Sequence, residues 1–131
     1  MEIIILASVN YIHALRWANE LSRRGHKLHF ISSHDGKEKL NSNIKFHKVK
    51  YSSPGGYFLN LMSLKGLIKQ IHPDILHAHY ASGYGTLGRL SGFSPYVLSV
   101  WGSDVYDFPN KSLFRFNSST VGLLVQQELR K

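Results

Sequence analysis

The sequence has no cysteine. Disulfide scaffolds and thiolate chemistry are therefore excluded, and the composition fits a reducing compartment. No apolar run approaches the roughly 20 residues that a membrane-spanning helix needs. The opening Met1–Ala7 stretch is too short for the apolar region of a signal peptide and lacks a basic leader, so it reads as a buried first strand. Internal repeats and low-complexity segments are also absent. Acidic residues are few, 8 against 16 Lys and Arg, for a formal charge of +8. Such a balance suits a polyanionic partner or simply a solvated basic surface. No nucleic-acid motif accompanies the scattered basic residues, so an anionic membrane face or a diphosphate is favoured over nucleic acid.

What is present is one domain's length, 131 residues, 43% of them hydrophobic, enough for a real core. The segment Pro73–Asp104, PDILHAHYASGYGTLGRLSGFSPYVLSVWGSD, organises the chain. Asp74–His79 reads as a strand, Tyr84–Ser91 as a short helix ended by Gly92, and Tyr96–Trp101 as a second strand. Strand, helix, strand over this length is a βαβ unit and predicts a parallel sheet. Upstream, Ile3–Ala7 is continuously apolar, as a strand covered on both faces should be. Asn10 is placed to cap a helix in which Tyr11, Ala14, Leu15, Ala18 and Leu21 recur at helical spacing, with Gly25 as its stop. Lys27–Ile31 is a second strand. Lys37–Asn43 is a polar link. Ile44–Val49, apolar at alternate positions and basic between them, is a third strand suited to a sheet edge. Tyr57, Leu61, Leu64, Ile68 and Ile71 mark an amphipathic helix that must stop before Pro73. Beyond Asp104, Lys111–Phe116 reads as a helix start, Ser118–Val125 as a strand and Gln126–Lys131 as helical. The fold expected is α/β: a doubly wound, mostly parallel, Rossmann-like sheet with helices on both faces.

In such sheets ligands sit outside the carboxyl ends of the strands. The residues there are Ser8-Val9-Asn10 with nearby His13, then Tyr80–Gly85, and Trp101-Gly102-Ser103-Asp104. Asn10, His13, His79 and Asp104 are expected to face one cleft. Gly83-Tyr84-Gly85-Thr86-Leu87-Gly88 matches G-x-G-x-x-G, and Asp104 lies 21 residues beyond Gly83. That spacing is compatible with a dinucleotide fingerprint, but the fingerprint belongs to the first strand of its sheet. Anion binding at the helix start, or close helix–sheet packing, are the other readings of these glycines. His77 and His79 share one face of their strand. A His-x-His strand can hold a metal, but a hydrogen-bonded core histidine is the expectation for His77, and His79 is the better functional candidate. Asp104 can serve as general base or hold a substrate hydroxyl, or can merely close a turn. Trp101 can stack on a sugar ring or finish the core.

ILASVNYIHALRWANELSRRGHKLHFIS, PDILHAHYASGYGTLGRLSG and SVWGSDVYDFP together resemble the N-terminal domain of family-four-like glycosyltransferases of the GT-B fold, over roughly residues 1–116. That family transfers a sugar from a nucleotide-sugar to an acceptor, often a lipid-linked glycan at the inner membrane face, with the acceptor held by the N-terminal half. The resemblance implies Asp104 and His79 as catalytic residues. It implies an acceptor site from Ser8, Asn10, His13, Tyr80, Ser82, Gly83, Trp101, Gly102 and Ser103. No metal and no cofactor are implied. Ser8-Val9-Asn10 replaces the glycine-rich first loop of many relatives, and Trp101 stands where many place a histidine, which passes the polar role to Asp104.

The implied partners are a glycan or lipid-diphosphate acceptor, and a nucleotide-sugar donor only when a C-terminal domain is supplied. The implied setting is polysaccharide synthesis in the cytoplasm, peripheral on the inner membrane face. Residues 1–131 correspond to a single acceptor-side domain, with the tail 117–131 departing from the family. This domain alone is expected to be folded but inactive, and an unpaired strand edge gives it a route to self-association. The alternatives are a non-catalytic binding or scaffold domain needing a partner chain, and a dinucleotide-dependent oxidoreductase domain.

Overall fold

The computed structural model describes residues 1–50, 57–81 and 83–102. Nine elements follow in chain order. They are β1 (Glu2–Leu6), α1 (Ile12–Arg23), β2 (Lys27–Ser32), a 3-10 turn (Lys37–Lys39), β3 (Lys45–Lys48), α2 (Tyr57–Ile71), β4 (Ile75–His79), α3 (Tyr84–Leu90) and β5 (Tyr96–Ser99). The five strands form one sheet of order β3-β2-β1-β4-β5, every described pairing parallel. β1 is therefore central, flanked by Leu28–Ile31 of β2 and Ile75–Ala78 of β4 in register with Ile3–Leu6.

β1 is apolar at consecutive positions because both of its faces are covered. Ile3, Ile5 and Ala7 pack with Ala14 and Ala18 of α1 and with Leu28 and Phe30. Ile4 and Leu6 point the other way, onto Leu64 of α2 and Tyr84 and Leu87 of α3. Small residues on α1 let that helix lie close to the sheet. The expected doubly wound α/β fold, with helices on both faces, is what the chain adopts.

Boundaries follow local chemistry. Gly25, at φ 91°, ends α1: its N–H donates to the Ser22 carbonyl at 3.0 Å and that of His26 to the Leu21 carbonyl at 3.2 Å. α2 stops at Ile71, and His72 turns to φ 53° ahead of Pro73. β3 sits at the edge, as its alternation of basic and apolar residues predicts. Asn10 does not cap α1. The helix starts one residue later, with Tyr11 at the cap position and no side-chain cap bond. The reason is a competing turn: the Tyr11 N–H donates to the Ser8 carbonyl at 3.1 Å, the Asn10 N–H to Ser8 Oγ at 3.2 Å, and the Asn10 carboxamide oxygen accepts from Lys39 Nζ at 3.0 Å.

Candidate functional site

The strand order reverses between β1 and β4, and the loops that leave their carboxyl ends diverge there, opening a crevice. A cleft of about 290 Å³ occupies that point, lined by Asn10, Tyr11, Ile12, His13, Tyr80 and Trp101. Roomier grooves lie elsewhere: one of about 400 Å³ along the outside of α1, one of about 470 Å³ between the 3-10 turn and the start of β3, and one of about 580 Å³ between α2 and the end of α3. None of these is at the carboxyl ends of the strands, where a parallel sheet gathers its ligand groups, so the smaller cleft is the candidate site.

Its walls are built from aromatic contacts. The His13 ring stacks on the Trp101 indole, with centroids 4.4 Å apart and planes at 12°. Trp101 also lies nearly parallel to the His79 ring, at 5.8 Å and 9°. Tyr11 meets Tyr80 at 5.5 Å. Tyr80 adopts φ 81°, a left-handed conformation uncommon for a bulky residue. Its backbone is fixed from both sides: its N–H donates to the Ser99 carbonyl and its carbonyl accepts from Gly85 N–H, both at 2.9 Å.

His79 lies behind Trp101 rather than in the cleft. It is fully buried, and neither ring nitrogen has a hydrogen-bond partner among the described residues. His77, on the same strand face, shares a 2.8 Å hydrogen bond with Ser99 Oγ and packs edge-on to Trp17, so it is the hydrogen-bonded core histidine expected. Burial pushes His77 down to about 4; His79 falls to about 3, mainly by burial and further by its neighbours His77 and His13. Both imidazoles are neutral at neutral pH. Among the described residues no three His, Asp or Glu side chains converge as a metal site would require.

The glycines of the G-x-G-x-x-G segment are explained by packing. A Cβ on Gly85 would lie 2.6 Å from the Tyr80 carbonyl oxygen, and one on Gly88 would lie 2.7 Å from the Tyr96 ring. The Gly85 N–H is already committed to Tyr80, which removes it as an anion ligand. Gly83 takes φ 59° at the start of α3. The segment follows β4, whereas β1 is the strand whose turn a dinucleotide fingerprint would occupy.

Of the expected site residues, the structure therefore brings Asn10, His13, Tyr80 and Trp101 together around one cleft. Ser8 is buried beneath it as the turn acceptor described above. Gly102 follows Trp101 at φ 92°. Ser82, Ser103 and Asp104 lie outside the described residues. Sequence reasoning assigned Tyr11 to the core face of α1, yet it is more than a third exposed and lines the cleft with Ile12. The signal was their adjacency to Asn10, in a first turn that projects past the sheet. Also missed was the role of the Tyr84 hydroxyl, which accepts from the Ser33 N–H at 3.1 Å and shares hydrogen bonds with Ser33 Oγ at 2.7 Å and His34 Nδ1 at 2.8 Å. It ties the loop after β2 to the start of α3.

An all-parallel Rossmann-like sheet with a cleft at its switch point defines the class: an α/β domain consistent with one half of a GT-B architecture. More particularly, the chain belongs to the glycosyl transferase 4-like family, whose profile matches residues 2–128. The match continues well past residue 116 and so takes in most of the 117–131 tail that the motifs alone had set apart. Among solved structures, the chain resembles a glycosyltransferase from Rickettsia africae ESF-5, with a TM-score of 0.53 and 13% identity, over 87% of this chain and 34% of that one. It also resembles glycinamide-RNase-transformylase T from Mycobacterium tuberculosis, with a TM-score of 0.51 and 14% identity, over 75% of this chain and 28% of that one. At such identities these likenesses speak to the fold alone. The chain spans about a third of the length of either protein. No curated protein matches the sequence significantly.

Proposed function

We propose that this chain is the acceptor-side domain of a glycosyltransferase that moves a sugar from a nucleotide-sugar to a glycan or lipid-linked acceptor in cell-surface polysaccharide synthesis. The observation that carries the reading is the cleft at the switch point of a glycosyl transferase 4-like domain, walled by Tyr11, His13, Tyr80 and Trp101 and edged by Asn10. Flat aromatic walls with a polar rim suit a sugar ring, which offers apolar C–H faces and equatorial hydroxyls. Asn10 supplies an amide able to donate and accept, and His13 a ring nitrogen at the edge of the stack. In this reading Asp104, beyond β5, takes the proton from the attacking acceptor hydroxyl as the glycosidic bond forms and the nucleoside diphosphate leaves. His79 cannot reach the acceptor from behind Trp101; it acts as a positioning residue that supports the indole.

The donor is held by a second domain, and the reaction occurs between the two. Holding both reactants together is worth about 7–11 kcal/mol of barrier, which a single half forfeits. Purified residues 1–131 incubated with nucleotide-sugars and lipid-diphosphate acceptors should give neither glycan product nor released nucleotide. Sustained transfer would show that the donor site lies within these residues. In a two-domain protein carrying this domain, Asp104→Ala should lower kcat by roughly 10²-fold or more. Unchanged turnover would remove Asp104 as the base. The dinucleotide-dependent oxidoreductase alternative loses its main support, since Gly85 and Gly88 are engaged in packing; binding of NAD(P) by the purified domain would restore it.

A further inference from the structure

Lys39 reaches the rim of the cleft from a distant part of the chain. It closes the 3-10 turn after β2, and its Nζ donates to Asn10 Oδ1 at 3.0 Å. The turn is seated without that contact. The Lys39 N–H donates to the Gly36 carbonyl at 3.1 Å and the Leu40 N–H to the Lys37 carbonyl at 3.0 Å. From α1, Asn19 Nδ2 donates to the Lys39 carbonyl at 3.2 Å, and Asn19 Oδ1 accepts from the Asn41 N–H at 2.8 Å. Gly36, at φ 138°, lets the turn lie against the first loop, since a Cβ there would come within 3.0 Å of Val9 Cγ1. The Lys39 ammonium is therefore surplus to what holds the turn in place.

That ammonium is also not neutralised. The acids of residues 1–50 form ion pairs elsewhere or none: Glu20 is taken by Arg23 and Arg24, Asp35 by Lys48, and Glu2 by His29 at the opposite end of the sheet. Glu38, adjacent in the turn, forms no ion pair with Lys39. The Asn10 contact fixes the amide as well. Lysine only donates, so the carboxamide oxygen faces Lys39 and the NH2 group is the one left to the cleft that Asn10 lines. Two side chains thus present donors at this rim, one of them charged, with no carboxylate among the described lining residues.

We propose that Lys39, with Asn10, is a specificity-determining residue that selects acceptors carrying an oxyanion, a phosphate or a carboxylate, on the sugar that enters the cleft. The proposal rests on the sugar-ring reading of the cleft given above. An oxyanion bridging Lys39 Nζ and the Asn10 NH2 satisfies both donors, and hydrogen bonds between charged groups are roughly twice as strong as neutral ones. A sugar hydroxyl in the same place gains only the weaker bond. The neutral amide holds the ammonium at the rim and leaves its charge available, which a carboxylate at position 10 would not do.

The test is an NMR titration of the purified chain with glucose, glucose 1-phosphate and glucuronate at physiological ionic strength, read from the Trp101 indole and Asn10 amide signals. At least one of the two anions should bind about fivefold tighter than glucose, the upper range for an exposed ion pair, and the one that does so names the oxyanion. Lys39→Met should bring the anions down to the affinity of glucose and leave glucose itself unchanged. Lys39→Arg should keep most of the preference. Asn10→Asp, which gives the ammonium a carboxylate of its own, should abolish the preference although Lys39 is still present. Lys37→Met, on the same turn, should change it by about twofold or less. Glucose binding with no preference for either anion, or a preference that survives Lys39→Met, would overturn the proposal and leave the sugar cleft standing. Equal losses from Lys37→Met and Lys39→Met would assign the preference to the diffuse charge of the chain and overturn it too. Binding of none of the three sugars would remove the sugar reading of the cleft and the proposal with it.

Discussion

Histidine is used in two opposite ways at the two ends of this sheet. At the carboxyl end, the rings of His77 and His79 lie 4.2 Å apart with no carboxylate paired to them among the described residues, and burial holds both neutral. At the amino end, His29 Nε2 donates to the Glu2 carboxylate at 2.8 Å while its Nδ1 shares a 3.0 Å hydrogen bond with His47 Nε2. The hydrogen bond from His29 holds the Glu2 carboxyl below its ordinary value, whereas burial, His29 and Lys45 depress His47. The difference is one of solvation. The Glu2 carboxylate keeps its charge at the sheet's lower edge, where it is about a third exposed and hydrogen-bonded to His29. Where aromatic rings close over the site, only the neutral ring is stable.

The sharpest way to separate the two clusters is acid. Unfolded histidine binds a proton near pH 6.5, but folded His77 and His79 do so only near 4 and 3. Between those limits the unfolded chain holds more protons than the folded one, so stability falls as pH drops below about 6.5 and levels off below about 3. The loss should be the largest single effect, on the order of 5 kcal/mol by pH 4.5. It is checked by urea denaturation at pH 7 and 4.5. His79→Phe, which keeps the ring and removes the proton site, should shrink that loss by about half. An unchanged pH profile in the variant would mean that His79 is solvated or partnered.

A smaller effect confined to the carboxyl end is expected from Gly85→Ala. The new methyl would press on the Tyr80 carbonyl and on Leu98 Cδ1 at 2.9 Å. Such overpacking costs about 1–3 kcal/mol, and it should shift the NMR signals of Tyr80, His79 and Trp101 while leaving those of His29 and His47 in place. Movement of both sets would show that the clusters are coupled through β1. Glu2→Gln should act least, because the Glu2 side chain is partly exposed and solvent screens its pairing with His29. A carboxyl whose folded pKa is lowered contributes stability above its unfolded value, near 4.5, and loses it as pH falls through the folded value. The wild-type advantage over Glu2→Gln should therefore be present at pH 7 and gone in strong acid, with no change in the His77–His79 window.

Much of this was legible in the sequence because it is periodic. Continuous apolar β1, the alternation in β3 and the spacing of α2 each declare which faces are covered, and Gly25 and Pro73 mark where helices end. The parallel order and the switch-point loops follow from the βαβ arrangement. What was illegible is competition between local hydrogen bonds. Asn10 has the chemistry of a helix cap, but Ser8 and Lys39 claim its neighbourhood first, and no propensity reveals a partner 29 residues away. The glycine segment failed differently. Three glycines at the right spacing serve a tight turn and two close contacts as well as they would a phosphate, and only the position of β4 relative to β1 separates the cases. Trp101 and His79 were each singled out, but their stacking depends on how far β5 runs past β4, which periodicity does not encode.

The stack of His13, Trp101 and His79 also has an optical consequence. The chain has only two tryptophans, Trp17 and Trp101. Trp101 is held face to face with an imidazole that lines the cleft, and an imidazole in that position, once protonated, quenches indole emission. Trp17, 45% exposed on α1 and edge-on to His77 rather than stacked in the cleft, emits as a half-solvated reference. A ligand that slides His13 off the indole, or fixes it there, would change the intensity of one chromophore against the other. The cleft thus contains its own emitter and quencher, and its occupancy can be followed without attaching a dye.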